Sequence, residues 1–272
     1  MSIKLGIIGG GVMAEAILSR LFNEGLYQGV EVLISEPDAK RREYLQQTYQ
    51  VVVTSDNQAT LHATEVLLLA IKPQVLNKVL DGLKLAQKAN YPLILSILAG
   101  VPLSRLEAGF PDYPVVRVMP NTPATVGAGM TAIAPGTQVQ SHHLVLARSI
   151  FQAVGDVVEV PEGLMDAVTG LSGSGPAFVA LMVEALSDGG VASGLPRAIA
   201  TQLAVQTVLG TAQLLQTKGL HPAQLKDQVT SPGGTTIAGV AQLEKAGFRS
   251  AVIEAVKAAY LRSCELGKPL NQ

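Results

Sequence analysis

Short runs of branched apolar residues alternate with longer amphipathic stretches over the first 160 residues. Residues 3–8 form the first such run, and Ile17, Leu18 and Leu21 then recur at helical spacing. Further candidate strands lie at residues 30–34, 51–53, 66–70, 93–97, 115–119, 131–134 and 156–160, with helical stretches between most of them. Strands that alternate with helices predict an α/β fold with a doubly wound, mostly parallel sheet and helices on both faces.

From residue 161 onward the strand pattern ends and only helical patterns follow. Residues 177–183 are apolar on every side, and residues 198–215 are mostly small or apolar. Helices that are apolar all round must be buried, and an all-helical domain of about 110 residues cannot easily surround two of them alone. We therefore predict two domains, residues 1–160 and 161–272, and a homodimer in which a partner subunit covers these helices.

Composition narrows the possible classes of protein. The 272 residues are 48% hydrophobic and 15% charged, with a net charge of -1. From residue 161 onward there are eight Lys or Arg and eight Asp or Glu residues, without a basic stripe, so we expect no nucleic-acid partner. The continuous apolar runs are far shorter than a membrane span and no cleavable leader is evident, so we expect a cytoplasmic protein with no membrane partner.

Cys264 is the only cysteine, so the chain can form no intrachain disulfide and has no Cys/His metal cluster. A reducing compartment fits this composition, and we expect no metal site.

A glycine motif connects the first predicted strand to the first predicted helix. Gly9 would permit a tight turn, Gly11 would let the backbone approach a pyrophosphate, and Ala14 would let the helix pack closely on its strand. The predicted cofactor-binding residues of this motif are Gly9, Gly10, Gly11, Val12, Met13 and Ala14. The alternative is that the glycines merely shape a turn.

Ligands of doubly wound sheets bind beyond the carboxyl ends of the strands. The candidate residues at those ends are Ser35, Asn57, Ala70, Ile71, Lys72, Pro73 and Asn121. Lys72 and Asn121 either contact a cofactor or simply cap a strand end.

The end of the second strand gives conflicting evidence about the cofactor. Glu36 is suited to accept the ribose hydroxyls of NAD and to repel a 2′-phosphate. Ser35, together with a basic cluster at residues 40–42, is suited to hold that phosphate. The cluster is equally compatible with a solvated helix face.

The segment from Ser231 to Thr236 predicts a turn followed at once by a helix. Pro232 and the next two glycines cannot sit comfortably inside a helix, and apolar residues recur at helical spacing from Ile237. We expect Thr235 or Thr236 to be the N-cap. Unpaired N–H groups, two hydroxyls and bare glycines would make this helix start a seat for a small anion. The alternative is an ordinary capped helix after a turn.

Four motifs together resemble the pyrroline-5-carboxylate reductase family, which makes proline. They lie at residues 225–249, 118–123, 170–177 and 188–191. The resemblance covers essentially the whole chain. It implies a Rossmann domain for NAD(P)H and a helical domain that interlocks with a twofold partner. It also implies an active site between the nucleotide domain and the dimer's helical region, and often a further assembly of dimers into a decamer.

The resemblance also implies roles for particular residues. Ser35, Asn57, Ala70 and Lys72 match cofactor-contacting positions, and Ser231, Gly233, Gly234, Thr235 and Thr236 match the substrate-carboxylate site. The implied reaction reduces 1-pyrroline-5-carboxylate to L-proline by hydride transfer. NADPH is the expected cofactor, with NADH possible because of Glu36. We assign Thr236 as the catalytic candidate, as a hydrogen-bond donor to the ring nitrogen or to the carboxylate.

Two other classes of protein remain as alternatives. Related hydroxyacid dehydrogenases resemble one another in a Lys followed four residues later by Asn, and no Lys of this chain has Asn at that spacing. A nucleotide-sensing protein without turnover would need no anion seat, and the turn from Ser231 to Thr236 would then be purely structural.

Overall fold

A computed structural model describes residues 2–85 and 91–267. The chain divides into two compact units. The first comprises the residues up to Gly173 together with those from Ala259 onward, and the second comprises Ser174–Ala258. The domain boundary near residue 160, placed where the strands end, stays a prediction.

One eight-stranded sheet lies at the centre of the first unit within the described ranges. Its strands are β1 Leu5–Ile8, β2 Val32–Ser35, β3 Val52–Thr54, β4 Val66–Leu69, β5 Leu93–Ser96, β6 Val115–Met119, β7 Gly129–Pro135 and β8 Gly155–Glu159. The order is β3-β2-β1-β4-β5-β6-β7-β8, and every neighbouring pair is parallel except β6 and β7. The first six strands have the Rossmann order, which confirms the predicted doubly wound, mostly parallel sheet.

Seven helices accompany this sheet among the described residues. They are α1 Val12–Asn23, α2 Ala39–Tyr49, α3 Asn57–Thr60, α4 Leu76–Asp81, α5 Leu103–Gly109, α6 Ser141–Gln152 and α7 Met165–Val168. They cover both faces of the sheet: Leu68 of β4 belongs to the core with α1, α2 and α6, and Leu69 belongs to the core with α4 and α5. A strand buried on both faces explains the continuous apolar run at residues 66–69.

The second unit contains α8 Gly175–Ala192, α9 Arg197–Lys218, α10 Pro222–Gln228 and α11 Thr235–Lys245, and the first part of α12 Phe248–Gly267. Helices α8 and α9 pack closely, because a Cβ atom on Gly190 would lie 2.9 Å from the Cβ of Ala200. Yet most of their apolar side chains are exposed, for example Leu181 at 66% and Leu203 at 53%. The expectation that these helices are buried is therefore not met within a single chain.

Helix α12 begins in the second unit and ends in the first. Its last turns are held there by a polar cluster, in which Ser263 donates a hydrogen bond of 2.7 Å to Asp166. Asp166 and Glu162 both face the buried guanidinium of Arg117 on β6, at 3.7 and 3.4 Å. The Ser263 hydrogen bond thus fastens the C-terminal part of α12 to a carboxylate that is itself held by Arg117.

Two stretches, Glu162–Ala192 and Arg197–Lys218, are long and apolar enough to cross a membrane by length and composition alone. In the two stretches, 6% and 11% of the most apolar window is buried. This is weak evidence, since core helices of water-soluble proteins pass the same test. Short continuous apolar runs therefore do not by themselves exclude a membrane span, because isolated charges interrupt a run without changing a helix's mean hydropathy much.

Candidate functional site

The glycine-rich loop between β1 and α1 requires a glycine at its first position. Gly9 has φ +96°, and a Cβ atom there would lie 2.6 Å from the carbonyl oxygen of Ala70. At Gly11, the N-cap of α1, a Cβ atom would meet no described atom within 4 Å. No described side chain caps α1, so its first N–H groups are left for a ligand.

The next three residues of the loop point in different directions. Val12 is 75% exposed and Met13 is half-buried, whereas Ala14 is buried in the core below α1. This is the close helix-to-sheet packing that the small residue at position 14 predicts.

The ends of β1 and β4 lie side by side at the point where the strand order reverses. Ile8 and Leu69 are in register, and the amide of Ala70 donates to the carbonyl of Ile8 at 2.9 Å. Beyond them, Ile71 packs against the core, exposed Lys72 is the N-cap of a 3₁₀ turn, and Pro73 is that turn's first residue. The structure thus places residues 70–73 beside the glycine-rich loop.

Ser35 and Asn57 are brought together at the end of β2. The Ser35 hydroxyl is buried and donates a 2.7 Å hydrogen bond to the Asn57 side-chain oxygen. Asn57 is also the first residue of α3. In this arrangement the Ser35 hydroxyl uses its only donor in the hydrogen bond to Asn57.

Asn121 joins two of the sequence motifs. Its side-chain oxygen accepts a 2.8 Å bond from the amide of Met130, and its side-chain nitrogen donates to the carbonyl of Ser172 at 3.1 Å. Nearby, a Cβ atom on Gly173 would lie 2.9 Å from the terminal methyl of Met119. Residues 118–123 and 170–173 therefore pack tightly, and Asn121 uses both ends of its amide within the protein.

The charged groups at the start of α2 are not a single basic cluster. Arg41 donates from Nε to the carbonyl of Gly10 at 2.7 Å, and Arg42 donates to the carbonyls of Glu36 and Pro37 at 2.7 and 2.8 Å. The ammonium of Lys40 is exposed and has no ion-pair partner in the described part of the chain. Arg41 and Arg42 therefore already use donors within the protein, whereas the ammonium of Lys40 has no ion-pair partner in the described part of the chain.

Two carboxylates complete this region. Glu36 accepts hydrogen bonds from the amides of Gly10 at 2.9 Å and Asp38 at 3.0 Å. Glu15 of α1 forms a short ion pair with Arg41 and accepts from the hydroxyls of Tyr44 and Tyr49 at 2.8 and 2.9 Å. The sequence analysis missed Glu15, Tyr44 and Tyr49, because no local motif marks contacts between residues this far apart.

The network also shifts ionisation. Burial alone would raise the pKa of Glu15, but the hydrogen bonds from Arg41, Tyr44 and Tyr49 outweigh it and hold that pKa below its ordinary value. Burial and the hydrogen bond to Glu15 raise the pKa of Tyr49 to about 12. Near neutral pH the carboxylate is therefore charged and the phenol is neutral.

In the second unit, the turn before α11 leaves an open helix start. Gly233 has φ +66°, and Gly234 is the N-cap of α11. The prediction that Thr235 or Thr236 is the N-cap is wrong, because extended backbone at Gly234 starts the helix at Thr235 and places both threonines in its first turn. No described side chain caps α11, and Ser231 and Thr235 are exposed while Thr236 is half-buried. The Gly234 amide donates to the carbonyl of Ser231 at 3.1 Å, and the anion site at this helix start stays a prediction.

Two of the histidines in the described part of the chain have structural contacts at helix starts. His143 accepts from the amide of Gln140 at the start of α6, and His221 caps α10. No group of three or more potential metal ligands occurs within residues 2–85 and 91–267.

A Rossmann-ordered sheet with an open glycine loop at its switch point, followed by a helical unit, is typical of nicotinamide-dinucleotide oxidoreductases. Residues 4–100 match the family model of NADP oxidoreductases that are coenzyme F420-dependent, and residues 162–266 match the pyrroline-5-carboxylate reductase dimerisation model. The pyrroline-5-carboxylate reductase of Synechocystis sp. is 67% identical over 268 residues, which cover 98% of this chain and 100% of that one. The chain belongs to the pyrroline-5-carboxylate reductase family.

Other relatives agree over the whole length. The enzyme of Arabidopsis thaliana is 42% identical, with 98% of this chain and 96% of that one covered. The solved structure of the Coxiella burnetii enzyme has a TM-score of 0.90 at 33% identity, covering 99% and 100% of the two chains. That of the Plasmodium falciparum enzyme with NADP bound has a TM-score of 0.86 at 32% identity, covering 98% of both chains.

These findings confirm the predicted family, fold and activity. The chain is an NAD(P)H-dependent oxidoreductase that reduces 1-pyrroline-5-carboxylate to proline. They also set aside the hydroxyacid dehydrogenase and the nucleotide sensor. The site residues stay predictions, and their roles are taken up next.

Proposed function

We propose that this reductase uses NADPH in preference to NADH, and that it binds the substrate carboxylate at the start of α11. The observation that carries the substrate site is the helix start at Gly234, which no described side chain caps and whose first turn holds the hydroxyls of Thr235 and Thr236. The preference for NADPH is supported by the unpaired ammonium of Lys40 and by the NADP-bound relative from Plasmodium falciparum.

The residues of the first unit fit a dinucleotide. Gly9, Gly10 and Gly11, with the N–H groups of Val12, Met13 and Ala14, would hold the pyrophosphate at the positive end of α1. The other proposed cofactor residues are Ser35, Asn57, Ala70, Ile71, Lys72, Pro73 and Asn121. When bound, the reduced nicotinamide supplies the hydride that the imine carbon receives.

The second unit would hold and orient the substrate. The Gly234 amide already donates to the carbonyl of Ser231 at 3.1 Å, so the backbone N–H groups of Thr235 and Thr236, together with Gly233 and the hydroxyl of Ser231, would bind the carboxylate and fix the position of the imine ring. Thr236 would donate a hydrogen bond to the carboxylate or to the ring nitrogen. An imine that is already protonated when it binds needs no strong acid, because the imine electron pair moves to nitrogen as hydride reaches carbon.

The exposed apolar faces of α8 and α9 lie within the matched dimerisation region, so we propose that the chain forms a homodimer through them. Assembly of such dimers into a decamer remains part of the proposal, on the family resemblance. A cytoplasmic location is proposed because the chain carries a single cysteine, which suits a reducing compartment.

Steady-state kinetics of Thr236→Ala with pyrroline-5-carboxylate and NADPH test the substrate site. Loss of a hydrogen bond to a charged group should raise the KM for pyrroline-5-carboxylate by about ten-fold or more and leave the KM for NADPH unchanged. Thr236→Ser should restore most of the affinity, and Thr217→Ala, at an exposed position of α9, is the control.

Unchanged turnover and substrate affinity in Thr236→Ala would remove this role from Thr236.

Parallel assays of the unmodified enzyme with NADPH and NADH test the cofactor. A kcat/KM for NADH equal to or above that for NADPH would overturn the proposed preference.

A further inference from the structure

We propose that Arg41 positions the glycine-rich loop and does not bind a cofactor 2′-phosphate, which leaves recognition of that phosphate to Lys40. The inference rests on the proposed cofactor site. It divides three adjacent basic residues, Lys40, Arg41 and Arg42, into one exposed side chain without an ion-pair partner in the described part of the chain and two side chains that bind the protein.

The first step is the peptide of Gly10, whose two polar groups are both held by side chains. Glu36 accepts from the Gly10 amide at 2.9 Å, and Arg41 donates to the Gly10 carbonyl at 2.7 Å. Space around this glycine is also filled, since a Cβ atom there would lie 2.6 Å from a methyl of Leu45 on α2. The middle of the loop is therefore fixed by α2 and by the end of β2.

The second step is that Arg41 is itself anchored. Its terminal nitrogen pairs with Glu15, and its guanidinium lies 5.0 Å from the ring centre of Tyr44. Glu15 also accepts hydrogen bonds from the hydroxyls of Tyr44 and Tyr49, so one carboxylate in the first turn of α1 has three donors. The side chains of Arg41 and Glu15 are only 27% and 22% exposed.

The third step compares what each basic residue would lose by turning to a phosphate. If Arg41 turned to a phosphate, the Gly10 carbonyl would lose its hydrogen-bond donor and the partly buried carboxylate of Glu15 would lose its cation. An uncompensated charge in such a position is costly. Arg42 would give up the carbonyls of Glu36 and Pro37. Lys40 would give up no partner within the described ranges, so its ammonium is the group free to neutralise a phosphate.

Calorimetric titration with ADP-ribose and with 2′-phospho-ADP-ribose separates the two roles without turnover. Arg41→Met should weaken both ligands by the same factor, about ten-fold, because both carry the pyrophosphate that the loop binds. Lys40→Met, a matched loss of one positive charge, should weaken only the 2′-phosphorylated ligand. Arg41→Lys should recover little, because a lysine cannot reach the Gly10 carbonyl and Glu15 with a fixed fork of donors.

Arg41→Met that weakens only 2′-phospho-ADP-ribose would make Arg41 a phosphate ligand and overturn the proposal, as would unchanged affinity for both ligands. Failure of the unmodified protein to bind either ligand is a different result, because it would remove the proposed cofactor site itself.

Glu15→Gln keeps the test usable should Arg41→Met not fold. Weakening the ion pair that anchors Arg41 should lower the affinity for both ligands together, by about three-fold. Glu15→Gln that binds both ligands like the unmodified protein would contradict a positioning role. Melting temperatures of all variants separate a loss of stability from this loss of affinity.

Discussion

The two units solve the same problem, the burial of apolar helices, in different ways. In the first unit, Ile7, Leu68 and Phe151 are at most 1% exposed, because helices lie on both faces of a sheet. In the second unit, Leu203 and Leu209 of one helix are 53% and 49% exposed. The first unit thus has a complete core within the chain, and the second presents apolar helices that need further cover.

The difference follows from geometry. A sheet offers two broad faces, so each helix can bury one apolar stripe and leave its polar side in water. Helices α8 and α9 are apolar around most of their circumference, and pairing with each other covers only one stripe of each. Their sequence is therefore suited to an assembly and not to an isolated chain.

A charged substitution on the apolar helices of the second unit should have the largest effect on assembly and activity. Val205→Glu on α9 and Val145→Glu on α6 make the same change at valines that are 48% and 69% exposed. We expect Val205→Glu to prevent self-association and to lower kcat/KM roughly a hundred-fold or more, because a carboxylate would be buried unpaired in the interface and the second unit carries the proposed substrate seat. Light scattering and steady-state assays measure the two quantities.

Val145→Glu should change neither quantity much, since surface substitutions of this kind usually have small effects. Equal effects of the two variants, or an unchanged assembly in Val205→Glu, would contradict the contrast between the units.

Alanine substitutions at two glycines with positive φ, one in each unit, should have effects of intermediate size on stability. Gly9→Ala would place a methyl group 2.6 Å from the Ala70 carbonyl oxygen, whereas at Gly219, with φ +61°, a methyl group would meet no described atom within 4 Å. We expect Gly219→Ala to lower the free energy of unfolding by about 1 kcal/mol, the cost of the backbone conformation alone. Gly9→Ala should lower it by about 3 kcal/mol or more and abolish cofactor binding.

Chemical denaturation measures the free energy of unfolding of both glycine variants, and ADP-ribose titration measures binding. Similar losses of stability in the two variants would show that packing around the glycine-rich loop is looser than the structure indicates.

The smallest expected effect is a pH dependence. Because the pKa of Glu15 is lowered in the folded protein, its contribution to stability is fully present above its ordinary pKa of 4.5 and is lost as the pH falls through the lowered value. Glu15→Gln should therefore lower the melting temperature by about 2 to 4 °C at pH 7 and by less at low pH. Glu254→Gln, which removes an exposed pair with Lys257 in the second unit, is the control.

Differential scanning calorimetry between pH 3 and pH 7 gives both profiles. A difference between Glu15→Gln and the unmodified protein that does not shrink at low pH would contradict the charged role of Glu15.

Much of the fold could be predicted from the sequence because it is written in local patterns. The runs at residues 66–70 and 115–119 end within one residue of β4 and β6. The antiparallel pairing of β6 and β7 could not be predicted, since an apolar run has the same pattern in either direction. It follows instead from a connection too short to hold a crossover helix.

The candidate site divides in the same way. The glycine-rich loop was recognisable because its spacing is short and lies between a strand and a helix. The ion pair between Glu15 and Arg41 was not recognisable in the sequence, because it joins residues 26 positions apart through the packing of α1 and α2. The N-cap of α11 was assigned to the wrong residue type, since only the backbone angles at Gly233 and Gly234 show where the helix begins.

The course of α12 sets an order of events during protein synthesis. The first unit includes residues from Ala259 onward, and Ser263 fastens them to Asp166 beside Arg117. A nascent chain with its sheet already translated still lacks this segment until the whole second unit has emerged from the ribosome. The Rossmann unit, although encoded first, is therefore completed last, and the apolar helices of the second unit leave the ribosome before it is finished.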